Sequence, residues 1–140
     1  MTDVSFAKLD PDAHEDRFRR LRRDLGVSSF GINLLVFEPG QRSRIHRHER
    51  QEEVYLPLRG ELTLILEGTD EHVLGAGDLV RVGPDVRRQL INRGSDRLEL
   101  LALGGSGEHE GRDGRAYAAW DEEGAGRSPA EVPFPADEAI

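Results

Sequence analysis

Cysteine is absent from this chain of 140 residues. Disulfides, thiolate metal sites and cysteine nucleophiles are therefore excluded together. The absence is typical of a reducing compartment, and we expect a cytoplasmic protein. No stretch approaches the roughly 18 consecutive apolar residues of a membrane helix, and the N-terminus has no basic region followed by an apolar one. Neither membrane spanning nor export is indicated.

A positive net charge is missing as well. The 19 Lys and Arg residues against 27 Asp and Glu residues give a net charge of −8, and this average field repels a phosphate backbone. Nucleic-acid binding is therefore disfavoured. Residues 106–140 hold nine acidic residues and three arginines, a net of 3 − 9 = −6, which predicts an extended acidic tail.

Long connections are also absent between residues 30 and 103, where short runs rich in Val, Ile and Leu alternate with breakers. The predicted strands are residues 30–37, 53–59, 61–67, 72–74, 79–82, 88–92 and 98–103. No connection between them is long enough for a crossover helix, which excludes parallel βαβ units. The pattern predicts an all-β protein, built as one antiparallel barrel or sandwich.

The segment before this region contains start and stop signals for one short helix. Asp10 suits the N-cap, Pro11 the first helical position and Gly26 the position after the end. After residue 103 the chain is first Gly-rich and then acidic with several prolines. We expect a loop there, a docked segment at residues 117–120, and a frayed end whose deletion beyond Pro129 has little effect on stability.

His46, His48 and Glu53 form the most informative pattern of the chain. On a strand, residues two apart point to the same face, so both imidazoles can reach one ion. Glu53 lies five positions after His48, an odd offset that would put it on the opposite face of one continuous strand. It joins the histidines only if residues 49–51 bend the chain and Glu53 begins the next strand. Such a mixed nitrogen and oxygen set suits Fe, Mn, Ni, Zn or Cu and leaves positions open for water or substrate.

The spacing around these residues resembles the first motif of the cupin superfamily. That motif reads Gly-x5-His-x-His-x4-Glu-x6-Gly, and it is filled at every position by Gly40, His46, His48, Glu53 and Gly60. The resemblance implies a small double-stranded β-helix, a jelly-roll barrel, with a pocket in its mouth. The chain then divides into an N-terminal helix and lead-in (1–27), a cupin barrel (28–104), and a loop, docked segment and acidic tail (105–140).

The second cupin motif is altered in this chain. Gly77 and Asn92 match its ends, but Arg88 stands where the family supplies a further metal-binding His. A guanidinium does not release its proton to coordinate a cation. The implied set of four ligands is therefore reduced to three.

Arg88 leaves two interpretations open. In the first, the three remaining ligands hold a divalent metal, and Arg88 binds the carboxylate or another anionic group of a small-molecule ligand. In the second, Arg88 pairs with Glu53 inside the barrel and occupies the space of an ion, which gives a metal-free cupin. Tyr55 lies two residues after Glu53 on the same predicted strand, so it should share the pocket face, either as an aromatic side chain of the pocket wall or with its hydroxyl offered to a ligand.

Three functions agree with these features: a metal-dependent enzyme acting on a small molecule, a ligand-binding cupin without turnover, and a metal-free structural module. The sequence contains no signal for an organic cofactor and does not identify a reaction. Small single-barrel cupins commonly dimerise through a barrel face, and unpaired strand edges need cover, so a homodimer is expected.

Overall fold

Two antiparallel sheets of five strands form the architecture of the computed structural model, which describes residues 3–105 and 113–139. The elements in chain order are β1 (Phe18–Arg20), α1 (Leu21–Leu25), β2 (Gly31–Phe37), β3 (Ile45–His48), β4 (Glu52–Arg59), β5 (Leu62–Leu66), β6 (Asp70–Leu74), β7 (Val80–Val82), β8 (Arg88–Ile91), β9 (Leu98–Gly105), β10 (Gly114–Tyr117) and a 3-10 turn (Pro129–Glu131). The strand orders are β1-β2-β9-β4-β7 and β10-β3-β8-β5-β6. The predicted all-β class is confirmed.

The main core lies between the two sheets, and strand alternation decides which side chains enter it. On β2, Phe37 is buried in this core, whereas Leu34 and Val36 are buried on the outer face of the same sheet against Leu21 of α1. Successive side chains of a strand point to opposite faces, so an uninterrupted apolar run indicates a strand covered on both sides. The short helix is the element that covers β2 from outside.

A short N-terminal helix is present, but the predicted range from Asp10 to Gly26 is wrong. Asp10 starts a turn, with its main-chain oxygen accepting from the amide of Ala13 at 3.0 Å. The next residues form a tight hairpin, and β1 then pairs with β2, so only Leu21–Leu25 is helical. Gly26 ends the helix in the left-handed region with φ 71°, as its sequence position predicted. Sheet pairing has overridden the local helix signals.

The C-terminal segment after Pro129 packs against the barrel, so the expectation of a frayed end is also wrong. Val132 is buried, and the amide of Glu138 donates to the carbonyl of Gly40 at 2.8 Å. The ring of Phe134 contacts two guanidinium groups, with Arg17 4.3 Å and Arg44 4.0 Å from its centre. The tail is extended and acidic, as predicted, but Val132, Phe134 and Glu138 attach its described end to the barrel.

Gly40 shows why the first position of the motif requires glycine. Its φ is 88°, a region that side chains rarely adopt, and an added Cβ would lie 2.8 Å from the main-chain oxygen of Glu138. The turn before β3 and the bound tail therefore depend on the same residue.

Most of the predicted Gly-rich loop, residues 106–112, lies outside the described residues. The docked segment predicted at residues 117–120 is present in part, since Tyr117 is buried at the end of β10 and Trp120 is half-buried. Within residues 3–105 and 113–139, no helix is long and apolar enough to cross a membrane.

We predict that Phe134→Ala lowers the free energy of unfolding by about 1–2 kcal/mol, because it removes apolar contact and two cation–π interactions. Phe6→Ala is the matched control, since Phe6 is 90% exposed and its removal should change stability little. Thermal and urea unfolding of both variants provide the measurement. Equal stabilities would contradict the docked tail.

Candidate metal centre

The three predicted ligands lie on two consecutive strands joined by a bend. His46 and His48 are on β3, which ends at His48, and Glu53 is on β4, which begins at Glu52. Residues 49–51 form the bend that the sequence spacing required. The bend carries the chain from one sheet to the other, and Glu53 points from β4 toward both histidines on the facing sheet.

The potential ligand atoms converge within a small volume. One ligand atom from each of His46, His48 and Glu53 lies within 4.8 Å of the other two. The Oε1 atom of Glu53 is 3.1 Å from Nε2 of His48 and 3.6 Å from Nε2 of His46. All three side chains are less than one quarter exposed. The structure thus brings together the metal-ligand set named from the sequence.

An oxygen acceptor contacts Nδ1 of each imidazole ring, on the side away from Glu53. Nδ1 of His46 is 3.0 Å from the main-chain oxygen of Arg44, and Nδ1 of His48 is 2.8 Å from Oδ1 of Asp113. Each contact assigns a proton to Nδ1 and turns Nε2 toward Glu53. This is the orientation that metal-binding histidines adopt when a neighbouring oxygen fixes their tautomer.

Arg88 lies in the same site, fully buried at the start of β8 and directly across from His46 in the strand register. Its Nη1 donates to the carbonyls of Pro84 and Val86 at 3.1 and 2.6 Å. Its Nη2 is 3.3 Å from Oε1 of Glu53, an ion-pair distance. Among the described residues, however, Nη2 has no acceptor in hydrogen-bond geometry.

Tyr55 shares the pocket face, as its spacing predicted. Its hydroxyl donates to Oε1 of Glu53 at 2.6 Å and accepts from Nε of Arg88 at 3.3 Å. Tyr55 is also buried in the main core. The side chain therefore has both roles considered for it, as a wall aromatic and as a hydroxyl donor inside the site.

The electrostatics of the site favour an ionised carboxylate. Burial alone would raise the pKa of Glu53, but hydrogen bonds and positive charge from His46 and His48 hold it well below its usual range. Burial opposes the charged form of His48, yet Glu53 and Asp113 raise its pKa. Burial and the charge of Glu53 raise the pKa of Tyr55 well above its usual range, so its hydroxyl stays protonated.

The donor set fits a divalent transition metal. Two ligands at about 2.1 Å from one ion are separated by about 3.0 Å in octahedral and about 3.4 Å in tetrahedral geometry. The 3.1 and 3.6 Å separations between imidazole nitrogens and Oε1 are close to these values. Arg88 disfavours metal binding, because its positive charge lies 3.3 Å from the carboxylate oxygen of Glu53 and would repel a cation there.

Asp113 is the site residue that sequence reasoning missed. It is 65 positions from its partner His48, and its residue type alone carries no signal of the contact. Hydrogen bonds from the Gln51 side chain, from the main chain of Gln51 and Arg50, and from His48 outweigh the effect of its burial and lower the pKa of Asp113 to about 2. It is therefore a carboxylate throughout the neutral range.

Two facing antiparallel sheets, with an inward group of two histidines and a carboxylate, define a double-stranded β-helix protein with a candidate metal site. The chain belongs to the cupin domain family, whose sequence profile matches residues 33–104. The predicted jelly-roll barrel is thereby confirmed, and the site residues from His46 to Arg88 lie inside the matched region. Asp113 lies outside it.

Solved structures with the same fold include two described as sugar phosphate isomerases. A cupin superfamily protein of Silicibacter pomeroyi is 26% identical, with 81% of this chain and 83% of that chain covered and a TM-score of 0.64. A candidate sugar phosphate isomerase of Acidithiobacillus ferrooxidans is 28% identical, with 69% and 60% covered and a TM-score of 0.60. This chain therefore spans less than two thirds of the second protein.

A cupin protein of Bacteroides fragilis shares the fold over almost its whole length. It is 21% identical, with 89% of this chain and 99% of that chain covered and a TM-score of 0.66. At this identity the likeness concerns the fold alone. No curated protein matches the chain in sequence.

We predict that Arg88→Ala lowers the free energy of unfolding by about 3 kcal/mol, because it removes one member of a buried ion pair. The matched control is Arg81→Ala: Arg81 pairs with Glu52 on the surface, with the two side chains 62% and 51% exposed, and such a pair contributes at most about 1 kcal/mol. Urea unfolding of metal-free protein measures both. Similar losses in the two variants would show that the Arg88 pair adds little.

Proposed function

We propose that this protein is a small-molecule-binding cupin that holds one divalent metal on His46, His48 and Glu53. The observation that carries the proposal is the convergence of their three ligand atoms within 4.8 Å. Acceptors at both Nδ1 atoms support it, because they direct both Nε2 atoms to the same point. When bound, the ion supplies Lewis acidity toward a ligand oxygen.

The donor types set the class of metal. Two imidazole nitrogens and one carboxylate oxygen suit Fe, Mn, Ni, Zn or Cu, and a set of three leaves positions open for a ligand. No organic cofactor is part of the proposal. The proposal concerns ligand binding and assigns no reaction.

Arg88 supplies the preference for an anionic ligand. Its Nη1 is held by two carbonyls, whereas its buried Nη2 is without a well-oriented acceptor in the part of the chain that the structure describes. A buried guanidinium nitrogen in this state favours a carboxylate or phosphate oxygen as partner. The hydroxyl of Tyr55, 3.3 Å from Nε of Arg88, lies close enough to contact the same ligand.

The similar proteins support a more definite ligand class. The Silicibacter pomeroyi protein is described as a sugar phosphate isomerase, and the Acidithiobacillus ferrooxidans protein as a candidate one. A sugar phosphate combines an anionic group, which Arg88 would bind, with hydroxyl and carbonyl oxygens, which a metal would bind. We therefore include sugar phosphates among the ligands to be tested.

The contact between Arg88 and Glu53 favours a second candidate function. At 3.3 Å from Oε1, the guanidinium is placed to neutralise the carboxylate without any ion. In that case the protein is a metal-free cupin that binds a ligand or acts as a structural module. The two candidates differ in whether the purified protein takes up metal at one equivalent.

The proposal retains the predicted homodimer. Phe30, which is 40% exposed, lines with Val54 and Leu103 a shallow groove of about 390 Å³ on the first sheet. Grouped apolar surface of this kind is typical of protein contacts. A cytoplasmic location likewise stays an expectation, based on the absence of cysteine.

We predict one tight site for a divalent metal in protein purified without a metal-affinity tag. Calorimetric titration with Mn, Fe(II), Ni, Zn and Cu should give one equivalent for the wild type. His48→Ala should weaken the affinity at least about 100-fold, because a first ligand bond is lost. Arg88→His should tighten it about tenfold, because a fourth ligand replaces an opposing charge.

His72→Ala is the control for this titration, since His72 is 52% exposed and contacts only Asp70 among the described ionisable groups. It should leave both affinity and stoichiometry unchanged. Wild-type protein that takes up no metal, together with Arg88→His protein that does, would establish the metal-free alternative. Wild-type binding that is indifferent to His48 would overturn the three-ligand site.

We also predict that Arg88 determines the affinity for anionic ligands. Binding of a hexose phosphate and of a small dicarboxylate to the metal-loaded protein should weaken about 10- to 100-fold in Arg88→Met, which keeps the side-chain volume and removes the charge. Arg81→Met, which removes a surface arginine, should leave binding unchanged. Unaltered anion binding in Arg88→Met would exclude Arg88 as the anion-binding residue.

A further inference from the structure

Asp113 contacts two neighbouring parts of the candidate site from a segment about 65 positions later in the chain. The first is the ring of His48, whose Nδ1 is 2.8 Å from Oδ1 of Asp113. The second is the bend at residues 49–51, whose Arg50 and Gln51 amides each donate to Oδ2 of Asp113 at 2.9 Å. Asp113 is only 6% exposed, so water competes little for these bonds.

Further contacts fix Asp113 in this position. The side-chain amide of Gln51 donates to the same Oδ1 that His48 contacts, and the main-chain oxygen of Asp113 accepts from the amide of Glu49 at 3.1 Å. The next residue, Gly114, pairs with His48 as β10 joins β3. Asp113 is therefore held in two ways: its carboxylate accepts hydrogen bonds, and its main chain is fixed by the pairing of β10 with β3.

The bend determines whether the site exists at all. On a continuous strand Glu53 would face away from His46 and His48, whereas the bend carries the chain to the facing sheet, from which Glu53 points toward them. Two of the three bend amides bond to the carboxylate of Asp113, and the third bonds to its carbonyl. Gln51 is buried, so its amide would be costly to leave unpaired, and the carboxylate that accepts from it stabilises the bent conformation over an extended one.

We propose that Asp113 is a positioning residue of the metal centre: it orients His48 through Nδ1 and holds the bend that brings Glu53 to the histidines. The proposal rests on the proposed function in so far as it concerns metal affinity. Asp113 does not contact the ligand atoms themselves. It acts on two of the three ligands at once, from a segment outside the region that matches the cupin family.

Asp113→Asn is the informative variant, because it has almost the same shape but offers one acceptor oxygen instead of two. In either orientation of the amide, its NH2 group faces N–H donors from which the carboxylate oxygen accepts hydrogen bonds, and those bonds are lost. Affinity for Zn and Mn should fall about 10- to 100-fold, as is typical when the partner of a metal-binding histidine is removed. Amide hydrogen exchange at Arg50 and Gln51 should accelerate at least about tenfold, and the 15N signals of the His48 imidazole should shift while those of His46 do not.

Glu49→Gln is the matched control. Glu49 lies in the same bend but is 40% exposed and pairs with Arg115 at 2.9 Å, so the same change of charge should leave affinity, exchange and imidazole signals as in the wild type. If Asp113→Asn does not fold, the proposal is tested on the wild type by the His48 15N signals and by amide exchange at Arg50 and Gln51. A His48 ring without a proton on Nδ1, or fast exchange of the Arg50 and Gln51 amides, would overturn the proposal.

The outcomes also separate this proposal from the function on which it rests. Wild-type protein that binds no metal overturns the proposed function, while exchange and imidazole signals still decide whether Asp113 positions His48 and the bend. Wild-type protein that binds metal, with Asp113→Asn equal to Glu49→Gln in all three measurements, overturns the positioning role alone.

Discussion

A single carboxylate oxygen organises the interior of this protein. Oε1 of Glu53 lies within 3.6 Å of polar atoms from Tyr55, His46, His48 and Arg88. These side chains come from β3, β4 and β8, so the two sheets meet electrostatically at this oxygen. A buried negative charge is tolerated only with such partners. The choice between a metal-binding and a metal-free cupin is therefore a competition between cations for one ligand.

The ligand set could be predicted from the sequence because its members lie within eight consecutive residues, where strand alternation decides which side chains share a face. Alternation along a strand places His46 and His48 on one face, and the odd spacing to Glu53 requires a bend that the polar residues 49–51 allow. Arg88 was found through the frame of the second motif, and it does lie across from His46. Both alternatives for Arg88 survive, because the structure places its guanidinium beside Glu53 and also gives one of its nitrogens no well-oriented acceptor.

The parts that the sequence did not reveal depend on contacts between distant segments. Asp10, Pro11 and Gly26 are good helix signals, but β1 pairs with β2, and of the residues between these signals only Leu21–Leu25 is helical. Phe134 gives no signal of its two arginine partners, Arg17 and Arg44, which lie more than 80 positions earlier. Asp113 is one acidic residue among many in an acidic segment. Such pairings are decided by the packing of the whole chain, which no local pattern records.

The pairing of β10 with β3 has a consequence for the order in which the protein matures. During synthesis the segment with His46, His48 and Glu53 emerges early, but the register that places Gly114 beside His48 needs residues about 65 positions later. Domains fold as units once their sequence is available. His48 therefore reaches its final orientation only after Asp113 and β10 have left the ribosome, and the site is completed late in synthesis although its histidines and Glu53 are made early.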